Sequence, residues 1–236
     1  MKLVAVVQAR MGSRRLPGKV MIEIDRHKLL IDWVIQRVAK ANKPHVIVVA
    51  TTSLVEDDEL VNHVQSHYPQ VKMFRGSVSN VLSRFIEINE LYPSDYLLRV
   101  TADCPLVCPR LIDEMFDEIS IKQPTYAANC NYERILKGFD LEFIASNALS
   151  VVPYHELRPY DLEHVTPYFY SGKVPIKEVI NFKYPEYKRA TKLNLSIDTK
   201  ADLLFFREAN RVFDFFDKDF YQIVSNLDEI LDLHKG

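Results

Sequence analysis

Short apolar runs alternate with longer amphipathic stretches along the first hundred residues. The short runs have the length and β-branched content of buried strands, and they cover residues 3–7, 45–50, 71–75 and 96–100. Between them, apolar residues recur at helical spacing over Leu29–Ala41, after Ser53 and after Gly76. Strands that alternate with helices in this way predict right-handed crossovers and a parallel sheet.

The second half of the chain is less regular. Residues 139–144 alternate apolar and acidic positions, which predicts a strand with Asp140 and Glu142 on one face. The other predicted elements are a strand over Leu193–Ile197 and packing helices over residues 213–224 and 227–233. No internal repeat, low-complexity segment or glycine- and serine-rich linker divides the sequence. We therefore expect a single domain over residues 1–236.

Composition narrows the class of protein. The 236 residues are 47% hydrophobic and 26% charged, which is typical of a globular chain. The net charge of −2 gives no overall basic field for nucleic acid. Three cysteines are an odd number, which favours reduced thiols in a cytoplasm. No apolar run has the length of a signal peptide or a membrane span, so we expect a soluble cytoplasmic protein without a membrane partner.

Positive charge is concentrated directly after the first strand, within QARMGSRRLPGKV. The segment holds Gln8, Arg10, Gly12, Ser13, Arg14, Arg15, Gly18 and Lys19. Open α/β sheets bind their ligands at the carboxyl ends of parallel strands. Glycines allow backbone N–H groups to approach phosphate oxygens, and arginines offer forked donors to the same atoms. The segment therefore predicts a loop that binds a triphosphate.

Known phosphate motifs do not explain this loop. A Walker loop needs four residues between its glycines and then Lys and Ser or Thr, whereas five separate Gly12 from Gly18 and Val20 follows Lys19. The Gly-x-Gly-x-x-Gly fingerprint of nicotinamide enzymes is also absent. The alternative interpretation is a solvated basic loop without a ligand.

Two aspartates follow predicted strands. Asp103 comes after the fourth strand, and Asp198 after the strand predicted over 193–197. A carboxylate that faces a triphosphate needs a cation between them, and Mg²⁺ commonly combines one or two carboxylates with phosphate oxygens and water. The alternative for Asp103 is a cap on a helix that begins near Pro105 or Pro109. The acidic residues 56–59 are better explained as the first turn of a helix capped by Ser53 than as a metal cluster.

Other polar residues could contact a second substrate. Asp140 and Glu142 could bind substrate hydroxyls or a second cation if their face of the strand lines a cleft, and would only solubilise the protein if it does not. Glu163 and His164 could orient a substrate, although an isolated histidine is equally often structural.

Five segments, taken in order, resemble one family. They are QARMGSRRLPGKV, TADCPLVCP, GFDLEF, LEHVTPY and LSIDTKADL, and the similarity spans residues 3–207. Together they resemble the bacterial cytidylyltransferases that activate sugar acids, a group that includes the KDO and acylneuraminate cytidylyltransferases. The middle and late segments are most similar to the spore-coat-polysaccharide branch of that family.

The resemblance implies a fold and a reaction. The fold would be an α/β, Rossmann-like nucleotidyltransferase fold, similar to that of the A-type glycosyltransferases, with a mixed, mainly parallel central sheet. The protein would be a homodimer that transfers CMP from CTP to a sugar acid or a related small anionic acceptor, releases pyrophosphate, uses Mg²⁺ and serves surface polysaccharide biosynthesis.

The resemblance also assigns residues. The nucleotide would be held by Gln8, Ala9, Arg10, Gly12, Ser13, Arg14 and Lys19, with Gln8 or Ala9 at the base edge. Arg14, Lys19 and Asp103 would be catalytic, and Asp103 and Asp198 would hold the metal. Glu142, Glu163 and His164 would contact the acceptor. Asn80 departs from the branch, which often has aspartate there; the change is either neutral or alters the acceptor pocket.

Two other functions remain open. A sugar-nucleotide glycosyltransferase of similar fold typically carries Asp-x-Asp at the metal strand, whereas Ala102-Asp103-Cys104 offers one carboxylate. A catalytically silent nucleotide-binding subunit would keep the loop and the aspartates without turnover.

Overall fold

A seven-stranded mixed sheet forms the centre of the protein. The computed structural model describes residues 1–25, 27–130, 136–153, 156–171, 179–182 and 193–235. Its strands, numbered in chain order, are β1 Leu3–Gln8, β2 Glu23–Asp25, β3 Lys28–Leu29, β4 Pro44–Thr52, β5 Lys72–Gly76, β6 Tyr96–Thr101, β7 Tyr126–Ala128, β8 Glu142–Ala145 and β9 Val179–Asn181. The sheet order is β5-β4-β1-β6-β8-β7-β9, and β2 and β3 form a separate hairpin.

Helices follow most strands. They are α1 Leu30–Ala39, α2 Asp58–His67, α3 Val81–Leu91, α4 Pro109–Lys122, α5 Ser146–Ser150, α6 Pro159–His164, α7 Pro167–Tyr170, α8 Lys200–Phe213, α9 Phe220–Ser225 and α10 Leu227–Lys235. Short 3₁₀ turns cover Lys19–Met21, Val55–Asp57 and Phe215–Asp217. In the described ranges, no helix has both the length and the apolar character needed to cross a membrane.

The predicted alternation of strands and helices is confirmed in the first half. β1 pairs in parallel with β4 on one side and β6 on the other, and β4 pairs in parallel with β5. β1 lies between these two strands, and both of its faces are also covered, since Leu3 to Val7 are fully buried. Parallel neighbours end at the same edge of a sheet, so the segments that follow β1 and β6 lie side by side.

The second half turns the parallel sheet into a mixed one. β8 runs antiparallel to both β6 and β7, while β9 pairs in parallel with β7. This confirms the predicted mixed, mainly parallel sheet. The strand predicted over residues 139–144 is corrected to Glu142–Ala145, in which every residue is buried. Glu142 does not face solvent, because its carboxylate is paired with the side chains of Arg99 and Tyr126.

The strand predicted over Leu193–Ile197 is wrong. The segment makes a single isolated bridge, between Asn194 and Lys137. The Asn194 side-chain oxygen accepts hydrogen bonds from the Ser196 N–H, at 3.0 Å, and the Ser196 hydroxyl, at 2.7 Å. Asparagine that bonds to nearby backbone groups competes with strand pairing, which explains why an apolar alternation here gives a turn.

The C-terminal helices pack onto α1. Trp33 of α1 meets the rings of Phe206 and Phe216 edge-on, with centroids 5.5 and 4.9 Å away. The buried Arg37 donates hydrogen bonds to the carbonyl oxygens of Val107, Phe215, Phe216 and Lys218. These contacts tie the end of the chain to the first helix, and α8 begins with a capping box between Thr199 and Asp202.

Gly138 is the glycine whose replacement should cost most stability. Its φ is +113°, and a Cβ there would lie 2.8 Å from the Leu195 carbonyl carbon. We expect Gly138→Ala to lower the free energy of unfolding by about 1–3 kcal/mol, because strain and a backbone clash add. Urea denaturation measures this. Gly12→Ala is the control, since its Cβ would meet only the mobile end of Glu56; equal losses in both variants would contradict the assignment.

Candidate active site

The loop after β1 forms one wall of a cavity of about 380 Å³. We call residues 10–19 the basic loop and this space the loop cavity. Predicted residues that line it are Gln8, Ala9, Arg10, Ser13, Arg14, Lys19, Asp103, Glu163, His164 and Asp198. Gly12 belongs to the loop but does not line the cavity, and Glu142 lines a neighbouring one. The structure thus brings together predicted residues that are far apart in sequence.

The basic loop is closed by its own backbone. The Met11 carbonyl oxygen accepts hydrogen bonds from the N–H groups of Ser13, at 2.7 Å, and Gly18, at 2.9 Å. Gly18 has a φ of +68°, a left-handed conformation that glycine adopts without strain. A 3₁₀ turn starts at the next residue, Lys19. The side chain of Lys19 thereby enters the loop cavity.

Asp57 anchors the loop from outside. The predicted acidic helix start is confirmed, since Glu56 and Asp57 lie in the 3₁₀ turn and the next two acidic residues begin α2, but the predicted Ser53 cap is wrong. The N-cap of the turn is Leu54, and the side chain of Asp57 reaches the basic loop. Its Oδ1 accepts the Met11 N–H at 2.7 Å, and its Oδ2 accepts both the N–H and the hydroxyl of Thr52. Burial alone would raise the pKa of Asp57, but these hydrogen bonds outweigh it and lower the pKa.

One ammonium group joins the two predicted metal ligands. Lys19 Nζ donates to Asp103 Oδ2 at 2.9 Å, to Asp198 Oδ1 at 3.0 Å and to the Ile197 carbonyl oxygen at 3.1 Å. Arg15 contacts Asp198 Oδ1 at 2.9 Å, and Lys137 contacts Asp198 Oδ2 at 3.3 Å. The carboxylates of two distant residues therefore converge on a single cation position.

Neighbouring opposite charges determine the direction of the pKa shifts of Lys19 and Asp198. Burial alone would lower the pKa of Lys19, but the carboxylates of Asp103 and Asp198 overcome it and raise the pKa. Burial likewise opposes ionisation of Asp198, and the ammonium groups of Lys19 and Lys137 overcome that effect and lower its pKa. Lys19 and Asp198 thus each favour the charged form of the other.

The pair of carboxylates fits Mg²⁺. Asp103 does not cap a helix, because α4 starts six residues later with Cys108 at its N-cap. Within the described ranges, no group of three or more His, Cys, Asp or Glu side chains could hold a metal by itself. An ion held by two carboxylates would take its other ligands from phosphate and water, which is the usual pattern for Mg²⁺.

Sequence reasoning missed Arg99, which lies at the centre of the sheet. Its Nε donates to Gln8 Oε1 at 3.0 Å, and a second guanidinium nitrogen pairs with Glu142 Oε2. Tyr126 donates its hydroxyl to Glu142 Oε1 at 2.7 Å. The network crosses four adjacent strands, β1, β6, β8 and β7. A charged residue inside the apolar strand YLLRVT was the available signal, but its partner could not be identified without the antiparallel β8.

A second cavity of about 290 Å³ adjoins the loop cavity. Arg99 and His164 line both cavities, and the second one also includes Lys137, Asp140 and Glu142. Glu163 and His164 are exposed residues of α6. Glu163 lines the loop cavity alone, whereas His164 lines both cavities. Glu142, predicted to contact an acceptor, lines the second cavity and accepts hydrogen bonds from Arg99 and Tyr126.

Asp140 is a carboxylate of the second cavity whose surroundings oppose ionisation. Burial, followed by the charges of Glu142 and Asp103, raises the pKa of Asp140 to about 6, although Lys137 partly opposes the shift. Sequence analysis identified its face of the strand but did not select it as a site residue. The charges that shift its pKa come from two segments: Lys137 and Glu142 are close to Asp140 in sequence, whereas Asp103 follows β6.

Arg84 of α3 is a further residue that the sequence did not reveal. It is buried, lines the loop cavity and donates through Nε to the Ser77 carbonyl oxygen at 2.7 Å. Burial and the positive charge of Arg10 lower the pKa of Arg84 to about 10. Two like charges are thus held beside the same cavity, an arrangement that favours an anionic ligand.

Asn80 has a local role at the start of α3. Its Oδ1 accepts the Ser83 N–H at 3.0 Å and caps the helix. Asparagine and aspartate cap helices about equally well. The departure from the branch pattern at this position therefore preserves the helix start.

Known proteins match the chain along most of its length. A family model described as Cytidylyltransferase matches residues 4–233. An uncharacterized protein of Methanocaldococcus jannaschii is 33% identical over 229 residues, 97% of this chain and 91% of that protein. The spore coat polysaccharide biosynthesis protein SpsF of Bacillus subtilis is 33% identical over 205 residues, 84% of this chain and 81% of that protein. A solved cytidylyltransferase from Leptospira borgpetersenii has a TM-score of 0.89 at 25% identity, covering 99% of this chain and 96% of that chain.

The mixed sheet and the loop at its carboxyl edge define a nucleotidyltransferase of the Rossmann-like class. Within that class, the chain belongs to the cytidylyltransferase family. The family predicted from the five motifs is confirmed, as is its general activity, CTP-dependent nucleotidyl transfer.

Loss of the Asp57 anchor should weaken nucleotide binding. Asparagine can accept one of the two N–H bonds, but its amide would face the other N–H without a partner. We expect Asp57→Asn to lower the affinity for CTP about tenfold and the free energy of unfolding by about 1–3 kcal/mol. Calorimetric CTP titration and urea denaturation measure the two effects. Asp58→Asn, which removes a surface pair with Arg75, is the control; unchanged CTP affinity in Asp57→Asn would refute the anchor.

Replacement of Asp140 should stabilise the protein most at a pH above its raised pKa. The pKa is raised, so the folded protein binds this proton more tightly than the unfolded chain, and stability falls as the pH rises from about 4 through about 6. We expect Asp140→Asn to gain on the order of 2 kcal/mol at pH 8 and little at pH 4.5. Unfolding at both pH values tests this, with exposed Glu87→Gln as the charge control. A variant that is no more stable than the parent at pH 8 would contradict the explanation.

Proposed function

We propose that this protein transfers CMP from CTP to a hydroxyl of a sugar acid or related small anionic acceptor and releases pyrophosphate. The observation that carries the proposal is the convergence of Lys19, Asp103 and Asp198 beside the basic loop. Phosphoryl chemistry depends mainly on positioning the reactants and neutralising spread charge. A cluster of cations next to paired carboxylates supplies both requirements in one cavity.

The basic loop is the proposed triphosphate site. Arg10, Arg14 and Lys19 bind phosphate oxygens and the departing pyrophosphate, and Arg84 adds charge next to Arg10. Ser13 and the loop backbone around Gly12 supply further donors. The arginines give forked donors to phosphate, and the Asp57 contact with Met11 fixes the loop before the nucleotide arrives.

The base edge of CTP is proposed to meet Gln8 and Ala9. Arg99 donates to Gln8 Oε1 and thereby leaves the Gln8 amide N–H groups for a ligand. Amide donors suit the acceptor atoms of cytosine. Glu142 holds the Arg99 guanidinium from the other side, so it is proposed to position Gln8 and not to touch the acceptor directly.

Mg²⁺ is the proposed cofactor, held by Asp103 and Asp198. The chemistry that it supplies when bound is charge neutralisation on the phosphates and a lower pKa for the attacking hydroxyl. The residues of the chain keep the carboxylate pair assembled, orient the triphosphate and bring the acceptor cavity next to it. No strong protein base is required for that hydroxyl.

The second cavity is the proposed acceptor site. Arg99 and Lys137 offer positive charge to an acid group, and Asp140 offers an acceptor to hydroxyls. Glu163 and His164 approach from α6, where His164 borders both cavities. The shared border supports an arrangement in which an acceptor hydroxyl lies next to the nucleotide phosphates, as in-line attack requires.

The cellular setting is proposed from the family. We propose a single-domain, cytoplasmic enzyme that acts as a homodimer in surface polysaccharide biosynthesis, without nucleic-acid or membrane partners. The similarity to SpsF, whose name refers to spore coat polysaccharide, supports the pathway. The net charge of −2 supports a small ligand in place of a nucleic acid.

Asp103→Asn tests the proposal directly. We expect at least about a 100-fold loss of pyrophosphate release, because the variant loses a group that positions both reactants, while CTP still binds weakly. The assay uses CTP, Mg²⁺ and a panel of sugar acids and phosphorylated polyols. Asp117→Asn, which breaks an exposed pair with Lys43, should retain activity.

Other products would point to other functions. Release of CDP or UDP from a nucleotide sugar would favour a glycosyltransferase. No pyrophosphate with any acceptor would favour a nucleotide-binding subunit. Parental turnover in pure Asp103→Asn protein would refute the metal assignment.

A further inference from the structure

The Lys19 ammonium group has no donor left for a phosphate. An ammonium group carries three N–H donors. Those of Lys19 go to Asp103 Oδ2, the Ile197 carbonyl oxygen and Asp198 Oδ1, at 2.9, 3.1 and 3.0 Å. The side chain is only 11% exposed. Its contacts with the carboxylates and its proposed contact with the triphosphate therefore exclude one another.

The other cations around the carboxylates cannot replace Lys19. Arg15 and Lys137 contact Asp198 alone, and their side chains are 64% and 38% exposed. Lys19 is the described cation that bridges both carboxylates. Two carboxylates that converge on one point repel each other unless a positive charge lies between them. Lys19 supplies that charge.

We propose that Lys19 is an exchangeable counter-ion, which holds Asp103 and Asp198 together until a divalent cation takes its place. The displaced ammonium group is then available to the nucleotide phosphates on its flexible four-carbon stem. The inference rests on the proposed metal role of the two aspartates. It adds that metal binding and the phosphate contact of Lys19 are one coupled event.

Coupling of this kind predicts the order of binding. A divalent ion that binds the free protein must displace a bonded ammonium group and leave it without partners. A metal that arrives with CTP provides phosphate oxygens for the displaced group at the same time. Metal and nucleotide should therefore strengthen each other's binding by the same factor.

The test is Mn²⁺ binding to the free protein, measured by electron paramagnetic resonance without CTP or acceptor. Lys19→Met removes the competing charge, so we expect the Mn²⁺ affinity to rise about tenfold or more. Lys137→Met should give a smaller gain, because Lys137 contacts one carboxylate at 3.3 Å. Lys40→Met, which breaks a surface pair with Asp217, should give none. Equal or weaker Mn²⁺ binding by Lys19→Met would overturn the proposal.

A second measurement uses the parent protein and needs no variant. Acetylation of Lys19, followed by mass spectrometry with Lys40 as the internal reference, reports whether its ammonium group is released. We expect Mn²⁺ alone to increase Lys19 labelling several-fold and CTP with Mn²⁺ to reduce it again. Labelling that Mn²⁺ leaves unchanged would overturn the proposal. Both readouts are independent of pyrophosphate release, so their failure is distinct from failure of the proposed function.

Discussion

The arrangement of the site depends on one contact, the ammonium group of Lys19 between the carboxylates of Asp103 and Asp198. The three residues come from the basic loop, the end of β6 and the turn before α8. The contact is partly buried, where an uncompensated charge is costly. It therefore fixes the relative positions of three segments that approach one another only in the folded chain.

The sheet brings the first two of these segments together. β1 and β6 are parallel neighbours, with Gln8 opposite Thr101, so the basic loop and Asp103 emerge side by side. Backbone contacts hold the third segment, the turn before α8, in place. The Ile197 N–H donates to the Asp103 carbonyl oxygen at 2.8 Å, and Gly138 lies against Leu195. A side chain at position 138 would separate the two backbones. The local geometry of one glycine thus affects the position of Asp198.

The same topology connects the two cavities. Because β8 is antiparallel to β6, Glu142 lies opposite Arg99 and its charge is paired across the sheet. Arg99 in turn contacts Gln8 of β1. A buried, hydrogen-bonded network of this kind orders side chains in both cavities. The parallel half of the sheet carries the basic loop, and the antiparallel strand carries one wall of the second cavity.

Local pattern predicted the first half of the fold, since buried strands and amphipathic helices there follow one another regularly. It also placed Lys19 and Asp103 at one edge, because parallel strands share that edge. Asp198 was different: its supposed strand is a turn shaped by Asn194, and its role came from the family resemblance. The roles of Asp57, Arg99 and Asp140 depend on long-range partners, and no local signal specifies which distant group a buried charge will meet.

The central claim is that one cation position, shared by Asp103 and Asp198, serves the nucleotide bound at the basic loop. A crystal structure with CTP and Mn²⁺, with anomalous diffraction to locate the manganese, tests it most directly. The account predicts a manganese peak bonded to both carboxylates, with the Lys19 ammonium group moved onto the phosphates. Manganese bound elsewhere, or Lys19 still bridging both aspartates beside a bound metal and nucleotide, would contradict it.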